Sequence, residues 1–391
     1  MRSPRAQLVL QSLGFISGFI IWVLLAALLP FIKEDIPLTA AQATWVAAIP
    51  VILGSVMRIP LGYLTSLYGA RLVFMGSFLF SVLPIWILAR AGSFFDLVVG
   101  GFFLGVAGAV FAIGVTSLPR YFPPSQQGLA NGIYGMGNVG TAITTFFAPM
   151  LAVHWGWRTT ILSTLSLVAL MVLAFIFLGD AREARSPMSL AEGFKALYRR
   201  ALLWLYSLFY FVTFGSFVAF TVYLTNFLVG EYGLDKVDAG WRTAGFIALA
   251  TLARPIGGWL SDLRNPYVVL SFSFGGLALA GVLLSFAQEI ILFSAGALLV
   301  AAAAGLGNGA VFKLVPHSFK GPYLGLVNGV VGMFGGLGGF FPPLVLTYVK
   351  LLTGQYAIGF MALSVFAVAN FVLTLWLWFG TRALVEEEKV T

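Results

Sequence analysis

Apolar runs of about 20 residues recur from one end of this 391-residue chain to the other. A helix of that length is about 30 Å long and matches the hydrocarbon core of a bilayer. Of all residues, 60% are hydrophobic and only 9% are charged, whereas soluble domains carry roughly 25% charged residues. We therefore predict an all-α membrane protein with twelve transmembrane helices. These predicted spans 1 to 12 cover residues 9–30, 44–66, 72–90, 95–118, 128–151, 159–178, 201–228, 241–261, 266–286, 290–314, 323–349 and 357–380.

A single long polar stretch divides the spans into six and six. It reads GDAREARSPMSLAEGFKALYRR and covers residues 179–200. We predict an N-terminal six-helix bundle over 1–178, a linker over 179–200 and a C-terminal six-helix bundle over 201–391. With twelve spans, 13 of the 22 lysines and arginines fall on the side of the termini, six fall on the other side and three lie inside spans. The positive-inside rule then predicts cytoplasmic termini and a cytoplasmic linker, in the plasma membrane or the bacterial inner membrane.

The residue inventory argues against an enzyme. The chain has no cysteine and only two histidines, His154 and His317, so a thiolate metal site or a Ser-His-Asp triad has almost no residues to draw on. We expect no metal and no cofactor. Membrane topology explains the net charge of +8 better than nucleic-acid binding does. A receptor would carry a soluble signalling domain, and the tails here are only about ten residues long, so we expect a transporter. We also expect it to work as a monomer.

One glycine-rich stretch imitates a dinucleotide-binding turn. Residues 132–142, GIYGMGNVGTA, contain G-x-G-x-x-G, but a Rossmann turn needs a preceding strand and an acidic residue about 20 positions later. This stretch lies within predicted span 5, so we interpret its glycines as helix-packing residues. Packing does not explain Asn138, because a buried amide needs partners. Asn138 either bonds a neighbouring helix or contacts a substrate.

The two halves of the chain are repeats. Pairs of identical residues occur at one separation around RIPLGYL and RPIGGWL, and at nearly the same separation in two glycine-rich signatures, NGIYGM and NGVVGM. The pairs include Trp45/Trp241, Arg58/Arg254, Gly62/Gly258, Asn131/Asn328, Gly135/Gly332 and Met136/Met333. A duplicated six-helix unit with a linker is the organisation of major facilitator transporters, whose halves rock around a site near the bilayer midplane.

Three cations lie inside predicted spans. Arg58 and Arg254 occupy equivalent points of the two halves, where each arginine costs at least about 2.5–3.5 kcal/mol. All carboxylates fall in loops or near helix ends, so the missing counter-charge is most simply a small anionic substrate; pairing with backbone carbonyls is the alternative. Pro255 after Arg254 predicts a broken or kinked helix. Lys313 is the third buried cation, and it either reaches the membrane interface or acts as a gate or relay for the anion.

The sequence resembles the nitrate/nitrite porter family of the major facilitator superfamily. The resemblance rests on NGIYGMGNVGTAITTFFAP, LVNGVVGMFGGLGGFFPP, LFYFVTFGSFVAF and the two span arginines. It implies that the anion is held by Arg58 and Arg254 and contacted by Asn138 and Tyr210. Two rings flank the anion in this interpretation: Phe214, and Phe111 as a stacking wall. Ordinary packing remains an alternative for the aromatic residues. The second signature offers glycine where the first has Asn138, which predicts asymmetric binding.

The resemblance implies transport of nitrate and nitrite by alternating access, through either nitrate/nitrite exchange or proton-coupled symport. A facilitator for another small anion, such as formate or oxalate, is the alternative. Glycines on spans 5 and 11 are expected to let these helices slide as the halves close. These predicted gating glycines are Gly135, Gly137, Gly140, Gly332, Gly336 and Gly339.

Overall fold

The computed structural model describes residues 3–183, 189–287, 289–319 and 323–390, and all regular structure in these ranges is helical. Residues 184–188 of the predicted linker lie outside the described residues. In the first half the α-helices are Pro4–Trp22, Leu24–Asp35, Ala40–Val56, Arg58–Tyr68, Ala70–Ala89, Phe94–Leu104, Val106–Ala109, Phe111–Ser117, Pro124–Gly135 and Val139–Leu178. After the linker helix Leu190–Leu197, the second half has Ala201–Tyr232, Lys236–Leu263, Pro266–Ser285, Ile290–Ser318, Leu324–Leu337, Phe341–Thr353 and Ala357–Val390.

The helices confirm the predicted all-α membrane fold. Ten segments of the described chain are long and apolar enough to cross a membrane. One of them, Ala130–Leu178, contains spans 5 and 6, which meet at Gly156, where φ is +75°. Span 8 corresponds to the less apolar helix Lys236–Leu263, which has 28 residues. Counting Ala130–Leu178 as two spans and adding Lys236–Leu263 gives the predicted twelve.

Several spans are interrupted near the middle of the bundle. Span 2 breaks at Met57, span 4 at Gly105 and Val110, and span 5 has a 3₁₀ turn at Met136–Asn138. Of the broken or kinked helix predicted at Pro255, the break is absent, because Lys236–Leu263 continues through that proline; the kink stays a prediction. The arginine beside a helix break is therefore Arg58, the first residue of the second helix of span 2.

The linker is attached at one end of the bundle, which we call the linker face, and the other end is the opposite face. Side-chain contacts join the two halves at the opposite face. Thr44 and Thr347 share a hydrogen bond of 2.7 Å between buried hydroxyls. The Trp45 indole donates to the Tyr348 hydroxyl at 3.3 Å. Lys236 and Glu34 form an ion pair. These contacts connect spans 2 and 11 and the start of span 8 to the end of span 1, and they close the opposite face.

A buried carboxylate organises the linker face of the first half. Glu183 accepts a 2.7 Å hydrogen bond from the Ala70 backbone N–H and pairs with Arg120 at 3.3 Å. Arg120 also donates to Ser66 at 3.2 Å. The side chain of Glu183 is only 2% exposed, and this burial raises its pKa above the ordinary glutamate value, although the bond from Ala70 opposes the shift.

Because the pKa of Glu183 is raised on folding, the native protein holds this proton more tightly than the unfolded chain. The contribution of Glu183 to stability is therefore largest in acid and falls as pH rises from the unfolded value of about 4.3. We expect the thermal stability of the wild type, measured relative to Glu183→Gln in detergent, to decrease as pH rises through this range. Glu192→Gln, at an exposed linker carboxylate, controls for the loss of one negative charge. If the thermal stabilities of the wild type and Glu183→Gln changed in parallel with pH, the raised pKa of Glu183 would be contradicted.

Candidate functional site

The break in span 2 places Arg58 at the interface between the halves. Its side chain is 1% exposed, and Nη1 donates a 2.6 Å hydrogen bond to the backbone carbonyl of Gly332 in span 11. Pairing with a backbone carbonyl, the alternative to an anionic substrate, thus occurs at Nη1 of Arg58. The buried Nε of Arg58 has no hydrogen-bond partner. A guanidinium presents five N–H donors, so Arg58 retains donors for a ligand.

Arg254 approaches the same place from the second half. Its guanidinium lies beside Gly135, where an added Cβ would sit 3.7 Å from the guanidinium carbon. The Phe111 ring is near both arginines, with its centroid 5.4 Å from the Arg58 guanidinium carbon and 5.9 Å from that of Arg254. The buried Nη1 of Arg254 has no partner. Within the described residues, neither arginine forms an ion pair.

Aromatic rings complete the enclosure. Tyr210 stacks on Phe214 with ring centroids 4.8 Å apart and planes at 10°, and Phe214 lies 5.2 Å from the guanidinium carbon of Arg58. Phe312 stands perpendicular to Tyr210 at 4.9 Å and lies 5.4 Å from the Arg254 guanidinium carbon. Phe312 also contacts Phe111 at 5.9 Å. The rings therefore form a continuous wall that joins the two arginines.

The sequence analysis missed Phe312 of this wall and Tyr134 beside it. Phe312 gave no distinguishing signal, since the chain contains 37 phenylalanines. Tyr134 is fully buried, and its hydroxyl donates toward the carbonyls of Val110 and Phe111 at 3.0 and 3.2 Å. These carbonyls lie at the break in span 4, so Tyr134 holds the backbone that carries Phe111. A tyrosine in mid-span needs such a partner, and that requirement was a usable signal.

Asn138 and its repeat counterpart occupy different environments. Asn138 is 3% exposed in the 3₁₀ turn of span 5, and its Oδ1 has no hydrogen-bond partner. Its counterpart Gly335 packs against span 7 of its own half, where an added Cβ would sit 2.1 Å from Cδ1 of Tyr210. No side chain fits at Gly335 while that ring is in place. The difference between the two signatures at this position therefore has a steric origin, and asymmetric binding stays a prediction.

Only part of the predicted glycine set faces the other half. Cβ atoms added at Gly135, Gly332 and Gly336 would meet Arg254, Arg58 and Ser55 across the interface. Those added at Gly137 and Gly140 would meet Phe15 and the Ile16 carbonyl of span 1, and one at Gly339 would meet Val218 of span 7. The latter three glycines allow close packing within a half, and the role of the six glycines in helix sliding stays a prediction.

The prediction of Lys313 as a third buried cation is wrong. Its side chain is 46% exposed, and its ammonium group forms an ion pair with Asp262, a residue of the same half. The long lysine stem reaches out of the helix bundle to this carboxylate, as snorkelling side chains do. Arg58 and Arg254 therefore remain as the two cations of the central site.

The family model described as Major Facilitator Superfamily matches residues 12–235 and 207–390 of this chain. The "Nitrite extrusion protein" of Bacillus subtilis (strain 168) is 53% identical over 383 residues, which cover 98% of this chain and 97% of that protein. The "Probable nitrate transporter NarT" of Staphylococcus haemolyticus (strain JCSC1435) is 48% identical over 366 residues, covering 94% of this chain and 95% of its own length.

Solved structures agree on the fold. A bacterial homolog to the human lysosomal transporter Spinster, in an inward-facing and occupied conformation, superposes with a TM-score of 0.69. It is 18% identical and covers 94% of this chain and 95% of its own. The relatives are transporters by name and not enzymes, as the residue inventory predicted. The match over both halves and the identity to full-length relatives place this multi-pass membrane protein in the nitrate/nitrite porter family of the Major Facilitator Superfamily.

Proposed function

We propose that this chain carries nitrate and nitrite across the plasma membrane by alternating access, with the anion held between Arg58 and Arg254. One observation carries the proposal: two largely buried guanidinium groups lie within 6 Å of the same Phe111 ring and lack carboxylate partners among the described residues. Two such charges repel each other in a low-dielectric site. A bound anion relieves that repulsion and so favours closure of the halves around it.

The shape of the site supports a flat, singly charged anion. Planar guanidinium groups match the geometry of an oxyanion, and aromatic walls offer contacts above and below a planar ligand. Asn138 supplies a neutral hydrogen-bonding group from the first half. The names of the relatives, which refer to nitrite extrusion and nitrate transport, support the same substrates. Formate and oxalate are the alternative ligands, since a carboxylate also fits a guanidinium fork.

The transport mode that fits best is exchange. An empty carrier holds two uncompensated charges and switches reluctantly, whereas a carrier loaded with either anion does not. Proton-coupled symport is the second mode, and it needs a proton carrier within the spans. Lys313 is not included in that role, because its ammonium is exposed and ion-paired. In the proposed orientation the linker face and both termini are cytoplasmic, and one chain is the working unit.

The test is nitrate binding to the purified protein, with nitrite, formate and sulfate as competitors. We expect saturable nitrate binding that nitrite displaces and tetrahedral sulfate does not. Displacement of a bound anion by formate, without any binding of nitrate, would replace the substrate assignment by the carboxylate alternative.

The mode is tested in vesicles without a pH gradient. Nitrate uptake into nitrite-loaded vesicles, with none into empty ones, is the result expected for exchange. Uptake that requires an imposed proton gradient and ignores internal nitrite would establish symport instead.

A further inference from the structure

Besides Tyr210 of the aromatic wall, three buried polar side chains on spans 5, 8 and 10 have an atom without a hydrogen-bond partner. They are Asn138 of span 5, Thr251 of span 8 and Asn308 of span 10, and the atoms are the two amide oxygens and the threonine hydroxyl. The exposure of these residues is 3%, 4% and 2%. Buried polar atoms in proteins nearly always have partners. The resemblance assigned a role to Asn138, but Thr251 and Asn308 have none so far.

Helix register brings Thr251 to the level of Asn138. Span 5 runs toward the opposite face and span 8 runs away from it, and the two helices meet where Gly135 faces the Arg254 guanidinium. Asn138 follows Gly135 by three residues, and Thr251 precedes Arg254 by three. Both residues are therefore about one turn nearer the opposite face than that contact.

Asn308 points toward the same level. An added Cβ at Gly307 would meet Ser273 of span 9 and Thr213 of span 7, and one at Gly309 would meet the Arg254 carbonyl of span 8. Successive helix residues are rotated by about 100°, so position 308 faces the space between spans 7 and 8. Phe312, four residues later on the same face, already touches Arg254 in the site. Asn308 lies one turn nearer the opposite face than Phe312.

The free hydroxyl of Thr251 is not a general property of threonines in these helices. Thr213, Thr221 and Thr243 each donate to the carbonyl four residues earlier, at 3.0, 2.8 and 2.9 Å. Thr251 has no such bond in the structure. Its hydroxyl therefore remains available to a ligand.

We infer that Thr251 and Asn308 bind the oxygen of the anion that points toward the opposite face, and that they favour nitrate over nitrite. The inference rests on the proposed function. The two guanidinium forks hold two oxygens, which both anions possess. The unpartnered Thr251 hydroxyl donates to the third oxygen, which only nitrate possesses. The Asn308 amide NH2 group is the second donor, and its Oδ1, an acceptor, does not contact the anion. These residues belong to the second half, which thereby contributes neutral donors even though Gly335 replaces an asparagine in its signature.

The experiment compares nitrate and nitrite affinity of purified Thr251→Val, Asn308→Ala and Asn308→Asp with the wild type. We expect nitrate affinity to fall about tenfold in the first two variants, as for loss of a hydrogen bond to a charged group, with nitrite affinity changed much less. Asn308→Asp places a carboxylate beside the arginines and should weaken both anions at pH 7, more than alanine does. Acidification that protonates the carboxyl should restore part of the binding.

Two matched variants control for loss of buried polar groups. Thr221→Val removes a hydroxyl bonded within its own helix, and Asn370→Asp alters a buried amide of span 12 that donates to the Phe366 carbonyl. Both should bind nitrate as the wild type does. Folded Thr251→Val and Asn308→Ala proteins with unchanged nitrate-to-nitrite preference would overturn the inference. If the wild type binds formate and not nitrate, the proposed function fails. Formate has two oxygens, as nitrite has, so a large loss of formate affinity in Thr251→Val and Asn308→Ala would overturn the assignment of these residues to a third oxygen.

Discussion

Replacing either Arg58 or Arg254 by lysine is expected to abolish nitrate binding and transport in a protein that still folds. Lysine keeps the positive charge but presents a compact, strongly hydrated ammonium in place of a planar fork. Arg58→Lys also loses the geometry that lets one side chain bond Gly332 and face Phe111 and Phe214 at once. Breaking a buried, hydrogen-bonded charge contact costs about 2–5 kcal/mol, which corresponds to at least about 30-fold in affinity.

Binding of nitrate by calorimetry and uptake into vesicles measure the effect, and thermal unfolding shows whether the variants fold. Arg242→Lys is the matched control, since Arg242 is 47% exposed and pairs with Asp238 on its own helix. It should behave as the wild type. Normal transport by either site variant would refute the model in which two guanidinium forks hold the anion. An Arg58→Lys variant that fails to fold with or without anion would instead assign Arg58 a mainly structural role.

Gly335→Ala is expected to eliminate transport through a single added methyl group. The new Cβ would lie 2.1 Å from Cδ1 and 2.5 Å from Cε1 of Tyr210, so the ring or the span 11 backbone has to move. Tyr210 stacks on Phe214 and abuts Phe312, and its displacement disturbs the wall that joins both arginines. Overpacking of this kind costs about 1–3 kcal/mol, and the loss of site geometry adds to it.

Gly329→Ala is the matched control on the same helix. An added Cβ there would lie 3.6 Å from the Arg58 carbonyl and the Ile59 Cα, which is ordinary van der Waals contact. Uptake assays on the two variants, with expression level and thermal unfolding recorded for each, separate the steric effect from a general intolerance of alanine in span 11. Equal activity of both variants would show that Tyr210 does not need its present position.

The sequence predicted the features that depend on the bilayer environment and on the repeat of the two halves. A bilayer demands long apolar helices, so the twelve spans are visible as composition. An arginine in a span is costly, so Arg58 and Arg254 were conspicuous, and their equal position in two repeats placed them together. Asn138 was conspicuous for the same reason, as an amide in an apolar run.

The remaining features depend on helix orientation, which hydropathy does not encode. Phe312 and Asn308 belong to the site because span 10 turns one particular face inward, and a helix that is apolar on all sides gives no periodic signal of that face. The ion pair of Lys313 with Asp262 needed the position of the neighbouring helix. The break at Met57 precedes Pro60, which cannot donate to the Val56 carbonyl, whereas Pro255 lies in a helix that continues unbroken. Proline alone therefore does not tell which helix breaks.

The bonds at the opposite face have a kinetic consequence. Thr44–Thr347, Trp45–Tyr348 and Glu34–Lys236 must separate each time that face opens. At about 0.5–1.5 kcal/mol for each hydrogen bond and up to about 1 kcal/mol for an exposed ion pair, opening costs a few kcal/mol. The unloaded carrier is then found mostly in the state in which the opposite face is closed. As a result, the half-saturation concentrations for transport measured from the two sides of the membrane differ. The direction of net flux does not change, because it follows only the concentration gradients of the two anions and the membrane potential.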